Sequence, residues 1–330
     1  MNLSSKLEGG LDILKIRFLN KRIPIAARIE LTNRCPNKCI YCDLKENIEP
    51  SKEEVFRLLD ELKKLGTKKV SFSGGEPMIR KDIGEIIDYA KSIGISPEMN
   101  SCGFAVKERI NEIKNLDVIK ISLDGDREVH SVISQRKNSF DEAVSAIEIC
   151  RKNGILVVIT TTLTKYNTNI KTIEKLLDMA KDYNVMIAFQ PVKKMYYSKL
   201  NLDDIIPDKD EYQKVINFLI DFKKKNNSYL RNSISGLKYI YNHPVYNEKV
   251  CVAGRAFIIV DVDGTVYPCD RVDFEYKNKL PNWKDLGIKK AIENLPQPRC
   301  SGCGFCGALE LGFLVDFKFD VVSSVERLLR

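Results

Sequence analysis

From residue 25 the chain alternates between two kinds of segment. Short runs rich in apolar and β-branched residues read as strands: Ile25–Leu31, Lys69–Ser73, Ile95–Asn100, Val118–Ser122, Ile155–Thr162 and Val185–Gln190. Between them, apolar residues recur at helical spacing near 51–65, 80–93, 106–114, 139–152 and 169–183. Two of these segments open on a serine with a glutamate three residues later, Ser51 with Glu54 and Ser139 with Glu142, the pattern of a capping box. Repeated strand–helix units predict an α/β fold with a parallel sheet and right-handed crossovers. Six units are too few for a closed eight-fold barrel, so the expectation is a partial (β/α)6 TIM-like barrel over residues 23–207. After residue 207 the alternation stops. A helix is expected over 208–225, then the polar segment Asn226-Asn227-Ser228, then a hairpin of Ala256–Val262 and Thr265–Tyr267 around Asp263-Gly264. The expected organisation is an amphipathic N-terminal extension (1–22), the barrel (23–207), a helical connector (208–245) and a small β-hairpin/helix module (246–330).

The unusual polar residues fall at strand ends. A cysteine loop follows the first strand, and Ser73-Gly74-Gly75-Glu76-Pro77 follows the second. Asn100-Ser101-Cys102-Gly103 follows the third, and Ser122-Leu123-Asp124-Gly125 the fourth. Thr160, Thr161 and Thr162 close the fifth strand, and Gln190-Pro191 the sixth. In parallel α/β folds that carboxyl edge is where sites are built. The cysteine loop holds Cys35, Cys39 and Cys42 with no fourth ligand beside them. A structural zinc site and a saturated [4Fe–4S] cluster each want four protein ligands, so three thiolates imply a cluster with one open iron.

Composition sets the limits. The 330 residues carry a net charge of +8, but lysines are mixed with acids and the densest run is Lys223-Lys224-Lys225. That pattern reads as solvated helix faces and disfavours nucleic acid as a partner. The first twenty residues lack an uninterrupted apolar core and a cleavage site, and no run approaches the ~20 apolar residues of a membrane span. Eight of ten cysteines lie in two short-spaced groups, which reads as metal ligation in a reducing cytoplasm and not as a disulfide framework.

Cys35-x3-Cys39-x2-Cys42, with the aromatic Tyr41 before the third cysteine, together with Gly74-Gly75-Glu76-Pro77 and Ser122-x-Asp124-Gly125, resembles the radical S-adenosylmethionine (SAM) superfamily over roughly residues 22–200. The resemblance implies a [4Fe–4S] cluster on the three cysteines. Its open iron would be chelated by SAM, which is cleaved reductively to a 5′-deoxyadenosyl radical. It also implies roles around SAM. Gly74 and Gly75 would allow close backbone approach to the ligand, with Glu76 at the methionine ammonium, Ser122 and Asp124 at the ribose, and Arg136 at the SAM carboxylate. Tyr41, Asn100, Thr160 and Gln190 complete the expected pocket. For Ser122 and the threonines the alternative is strand-end hydrogen bonding, and for Arg136 a solvated charge.

The second group is Cys251, Cys269, Cys300, Cys303 and Cys306, with Gly264 between the first two. It looks like the twitch/SPASM auxiliary-cluster module found C-terminal to some radical SAM barrels. Five cysteines suffice for one auxiliary [4Fe–4S] cluster with one to spare, and Cys303 and Cys306 are the undecided pair. A zinc ribbon is the alternative. Cys102, at the active edge, is either a hydrogen-atom donor to a substrate radical or a small residue in a packed loop. Cys150 is expected in the core, and His130 in a loop or at a pocket rim. The stretch Leu11–Leu19 either packs on the barrel or touches a membrane surface. The expected activity is hydrogen abstraction from a small-molecule or lipid-like substrate, with a reducing partner such as ferredoxin or flavodoxin. Peptide modification is the first alternative, although the 34 residues before Cys35 leave no room for a leader-peptide-binding domain there. A non-catalytic iron–sulfur electron carrier is the second.

Overall fold

The computed structural model describes residues 3–43, 49–193, 200–225, 228–246, 250–269, 280–298, 300 and 302–321. Asn226, Asn227 and parts of the expected C-terminal module lie outside them. Six parallel strands follow the predicted runs to within a residue: β1 (Ala26–Thr32), β2 (Lys69–Gly74), β3 (Ser96–Ser101), β4 (Val118–Ser122), β5 (Leu156–Leu163) and β6 (Met186–Pro191). The helices between them are α2 (Lys52–Lys64), α3 (Ile83–Ser92), α4 (Arg127–Ser134), α5 (Ser139–Lys152) and α6 (Ile170–Asp182). A helix α1 (Leu3–Phe18) precedes the barrel, and α7 (Lys209–Lys224) and α8 (Ile234–Ile240) follow it.

Alternation along each strand sorts the side chains. One face, with Ile29, Leu31, Val70, Phe72, Met99, Ile119, Ile121, Ile159, Ile187 and Phe189, joins Leu58, Leu59, Leu62, Ile86, Ile147 and Leu176 from the helices in the main core. The other face lines the barrel lumen, where an apolar cluster of Val118, Val158 and Met186 stands beside two ion pairs. Arg28 pairs with Glu30 at 2.7 Å, and Glu98 with Lys120 at 2.6 Å, all four largely shielded from solvent.

Four local expectations are corrected. Ser51 and Glu54 form their capping box, but Ser139 lies inside α5 and makes none. Its hydroxyl turns back to the Arg136 carbonyl at 2.7 Å, and Glu142 is held by Arg136. The 106–114 segment contracts to a 3-10 turn, Ile110–Ile113. Residues 127–134 form a helix, α4, that the periodicity did not predict. Finally, the expected hairpin is part of the barrel sheet. Here β7 (Phe257–Val260) pairs in parallel with β1, Ala26 opposite Phe257, and β8 (Val266–Tyr267) returns antiparallel to β7. The sheet order is therefore β6-β5-β4-β3-β2-β1-β7-β8. Beyond it lie the short α9 (Trp283–Leu286) and α10 (Ile288–Glu293), then α11 (Cys306–Val315).

The free edge of β6 is also covered. Ile187 exchanges two backbone bonds of 2.8 Å with Tyr229 and Arg231. The Asn232 carboxamide then donates to the Phe189 carbonyl at 2.9 Å and accepts from its N–H at 2.8 Å.

Candidate radical-SAM site

The loops at the carboxyl ends of the strands meet as their sequence positions imply. Gly74 and Gly75 lie against the start of the cysteine loop. The Gly75 N–H donates to the Thr32 carbonyl at 2.6 Å, and that of Glu76 to the Arg34 carbonyl at 2.8 Å. A Cβ on Gly74, which has φ +121°, would stand 2.2 Å from the Thr32 oxygen, and one on Gly75 2.1 Å from that of Arg34. The glycines are needed for this loop-to-loop contact. On its other side the cysteine loop rests on the end of α4: the N–H of Lys38 donates to Ser134 at 3.1 Å and that of Ile40 to Ile133 at 3.0 Å.

Glu76 is fully buried. Its carboxylate accepts from the Met78 N–H at 3.0 Å, the Ser101 hydroxyl at 3.0 and 3.1 Å, and the Cys102 N–H at 2.7 Å. Burial pushes its carboxyl up, and these donors oppose that. Cys102 is buried between Glu76 and the Cys35 thiol, to which it is hydrogen-bonded. Arg136 gives two hydrogen bonds to Glu142, one of them 2.8 Å, and a third of 2.6 Å to Asn37 in the cysteine loop.

Asp124 forms a second node. Its carboxylate accepts from the Tyr41 hydroxyl at 2.9 Å and the Thr162 N–H at 2.8 Å, and burial raises its carboxyl to about 6. Asn167 donates to the Asp124 carbonyl at 2.8 Å and the Thr162 carbonyl at 2.9 Å. The Asp124 N–H donates to His130 Nδ1 at 3.1 Å. His130, expected in a loop or at a rim, lies in α4 and is 1% exposed. Burial, then the charge of Arg136, lowers its imidazole to about 4, so it is neutral. It joins the Asp124 loop to the helix that carries the cysteine loop. Ser122 is half-buried, and Thr160 bonds to the Ile121 carbonyl at 3.4 Å. Gln190 reaches the Thr162 hydroxyl at 3.4 Å, and Asn100 the Ser71 hydroxyl at 3.3 Å.

Three cysteines therefore sit in one loop, held on both sides. Burial raises the Cys39 thiol, and the charges of Asp124, Cys42 and Cys35 add to it, which places these groups close to one another. Among the described residues no three His, Cys, Asp or Glu side chains converge on a single metal ion. A cubane binds each thiolate at a different corner, so three thiols carried on one loop fit a cluster.

The second cysteine group is more scattered. The Gly254 N–H donates to the Pro268 carbonyl at 3.2 Å, which draws the chain near Cys251 and Cys269 together. The Tyr239 hydroxyl is hydrogen-bonded to the backbone of Cys303 and of Val250, and its phenol is raised first by burial and also by the thiols of Cys303 and Cys300. Cys306 faces elsewhere. At the start of α11, its thiol donates to the Phe189 carbonyl of β6 at 3.3 Å, and burial raises it to about 12. Cys150 is a core residue of α5.

Asn167 and the lumen charges were not singled out in the sequence. The lumen had a signal: Arg28, Glu30, Glu98 and Lys120 interrupt apolar strands at every second position.

Residues 29–180 match the Radical SAM superfamily, so this stretch of the chain carries that superfamily's domain. Its members are enzymes, which removes the electron-carrier alternative, and the fold implies a [4Fe–4S] cluster and SAM, with Cys35, Cys39 and Cys42 as the ligands the site offers. The fold is similar to that of Streptococcus suis SuiB bound to S-adenosylmethionine, with TM-score 0.63, 15% identity, and coverage of 86% of this chain and 72% of that one. SuiB bound to precursor peptide SuiA gives TM-score 0.62 and 14% identity over 94% of this chain and 70% of that one. Native anSMEcpe with bound AdoMet and Cp18Cys peptide gives 0.63 and 18% over 81% and 80%. No helix among the described residues is long and apolar enough to cross a membrane.

Proposed function

We propose that this radical SAM enzyme abstracts hydrogen from a small polar molecule seated in the barrel lumen, with electrons supplied by a ferredoxin or flavodoxin. The observation that carries this reading is the charged lumen, Arg28 with Glu30 and Glu98 with Lys120, flanked by Asn100 and Gln190. An acyl chain in this space would displace water from buried charges and return no hydrogen bonds. A polar molecule can replace that water, so the lumen supports the small-molecule expectation and not its lipid-like form. Peptide modification is the second reading. It is favoured by the similarity to SuiB and anSMEcpe structures that contain bound peptides.

An auxiliary [4Fe–4S] cluster in the 246–330 module fits Cys251, Cys269, Cys300 and Cys303. Cys306 is the cysteine to spare, because its thiol is engaged with β6. Around SAM, Tyr41, Asp124 and Ser122 would face the nucleoside, and Gly74 and Gly75 would hold the cysteine loop against it. Cys102, packed on Cys35 and Glu76, fits a positioning role better than hydrogen donation.

The test is 5′-deoxyadenosine release by the reduced, cluster-loaded enzyme with SAM, challenged separately with polar low-mass, peptide and lipid fractions of a cell extract. Stimulation by the polar low-mass fraction supports the first reading. Stimulation only by a protease-sensitive fraction selects the peptide reading, and stimulation by lipid alone refutes both.

A further inference from the structure

Helix α1 carries apolar side chains on two faces. Inward, Ile16 is fully buried and Ile13 packs beside it, with Val252, Ala256 and Val315 in the same cluster. Outward, Leu11, Leu14 and Phe18 are 55%, 42% and 67% exposed, and Leu19 just beyond the helix is 64% exposed. At 3.6 residues per turn the three helical residues share an arc of about 60° on the side away from Ile13 and Ile16. Phe317, after α11, stacks on Phe18 with ring centroids 6.0 Å apart and widens the patch. Of the ten large hydrophobics exposed among the described residues, these are five. Gathered apolar exposure of this kind marks an interaction site.

The rim of the patch is basic. Lys15 lies about 80° to one side of the stripe and Arg17 about 80° to the other. Lys21, Lys318 and Arg255, which reaches Asn20 at 3.3 Å, stand near its ends. Among the described side chains, the carboxylates near these five cations are Asp12, paired with Lys15 at 3.2 Å, and Asp316, paired with Arg17 at 3.2 Å.

We propose that this face of α1 docks flat on a lipid surface bearing anionic headgroups, with Leu11, Leu14, Phe18 and Leu19 entering the headgroup–acyl boundary. A helix of 16 residues with this charge lies on a bilayer and does not span it. Charge selects this occupant over a second copy of the chain. A symmetric dimer through the patch would set Lys15, Arg17, Lys21 and Lys318 against their own counterparts, whereas anionic headgroups neutralise them.

The experiment is co-sedimentation of the full cluster-loaded chain with phosphatidylcholine vesicles, with and without phosphatidylglycerol, at low and high salt. A Leu14→Ser/Phe18→Ser double variant runs beside it. The expected result is binding to the phosphatidylglycerol vesicles at low salt, weakened at least about tenfold by high salt and by the double substitution. Both substituted side chains are exposed, so thermal midpoint and SAM cleavage stay unchanged. No binding to anionic vesicles overturns the proposal, as does equal binding by the double variant. A concentration-dependent dimer that the double variant abolishes, without vesicle binding, assigns the face to self-association and overturns it too.

Discussion

His130 ties the stability of the SAM site to pH. An unfolded imidazole titrates near 6.5, whereas burial holds this one at about 4. The sign follows from which state binds the proton. Above pH 6.5 both states are neutral and the His130 contribution is whole. As pH falls from 6.5 toward 4 the unfolded chain takes up a proton that the folded chain refuses, so stability is lost across that window. The linkage relation gives a loss of about 2 kcal/mol between pH 8 and pH 5, reaching about 3 kcal/mol below pH 4. Asp124, whose N–H donates to His130, works in the opposite direction. Its carboxyl is raised to about 6, so acidification protonates it first in the folded state and restores about 1 kcal/mol by pH 5. The wild-type profile therefore conceals both effects. A His130→Gln variant keeps an acceptor for the Asp124 N–H and removes the titration. Anaerobic urea unfolding of both proteins, followed by circular dichroism at pH 8 and pH 5, reads the gap between them. The wild-type advantage should shrink by about 2 kcal/mol on acidification. A gap that does not move with pH would refute a neutral, buried His130.

Gly75→Ala should force the Gly-Gly loop off the Arg34 carbonyl that lies 2.1 Å from the new Cβ, and iron bound at Cys35, Cys39 and Cys42 should fall sharply in reconstitution. Glu98→Gln should cost about 3–5 kcal/mol by stranding Lys120 in the lumen, and Glu98→Met with Lys120→Met should recover most of it, as read by thermal midpoints. Cys303→Ala should remove the auxiliary iron and its electron paramagnetic resonance signal. Cys306→Ala should keep both and lower stability by about 1–2 kcal/mol, through the lost bond to Phe189 and the small void.

The six barrel strands were legible because each is an apolar run bounded by Gly, Pro or Asn, and their order in the sequence set the order in the sheet. The cysteine, Gly-Gly-Glu-Pro and Ser-x-Asp-Gly loops were legible as neighbours for the same reason. What the glycines touch was not. Close backbone approach reads the same from sequence whether the partner is a ligand or, as here, Thr32 and Arg34. The α4 helix escaped because eight residues, barely two turns, are too short a run to establish a helical period, and His130 went with it. Pairing of β7 with β1 was hidden because a hairpin satisfies its own local pattern wherever its outer edge pairs. Cys306 illustrates the limit of spacing. Three residues on from Cys303, it reads equally as the ligand or the spare, and spacing does not reveal that the start of α11 turns its thiol to the Phe189 carbonyl of β6.

An open barrel leaves two sheet edges, and an exposed edge is a template on which another chain can polymerise. On one side the edge among the described residues is the two-residue β8, whose Val266 N–H is taken by the Pro281 carbonyl at 2.8 Å. On the other, Asn232 occupies both backbone groups of Phe189 with a single carboxamide, so no further strand can be accepted there. This plug covers the outermost strand on that side, with only β7 and β8 added to the sheet after it. During synthesis β6 emerges some forty residues before Asn232, and over that interval the nascent barrel is most open to misassembly. The Asn232 amide thus acts as a safeguard on the soluble state of the growing chain as well as a bond in the finished one.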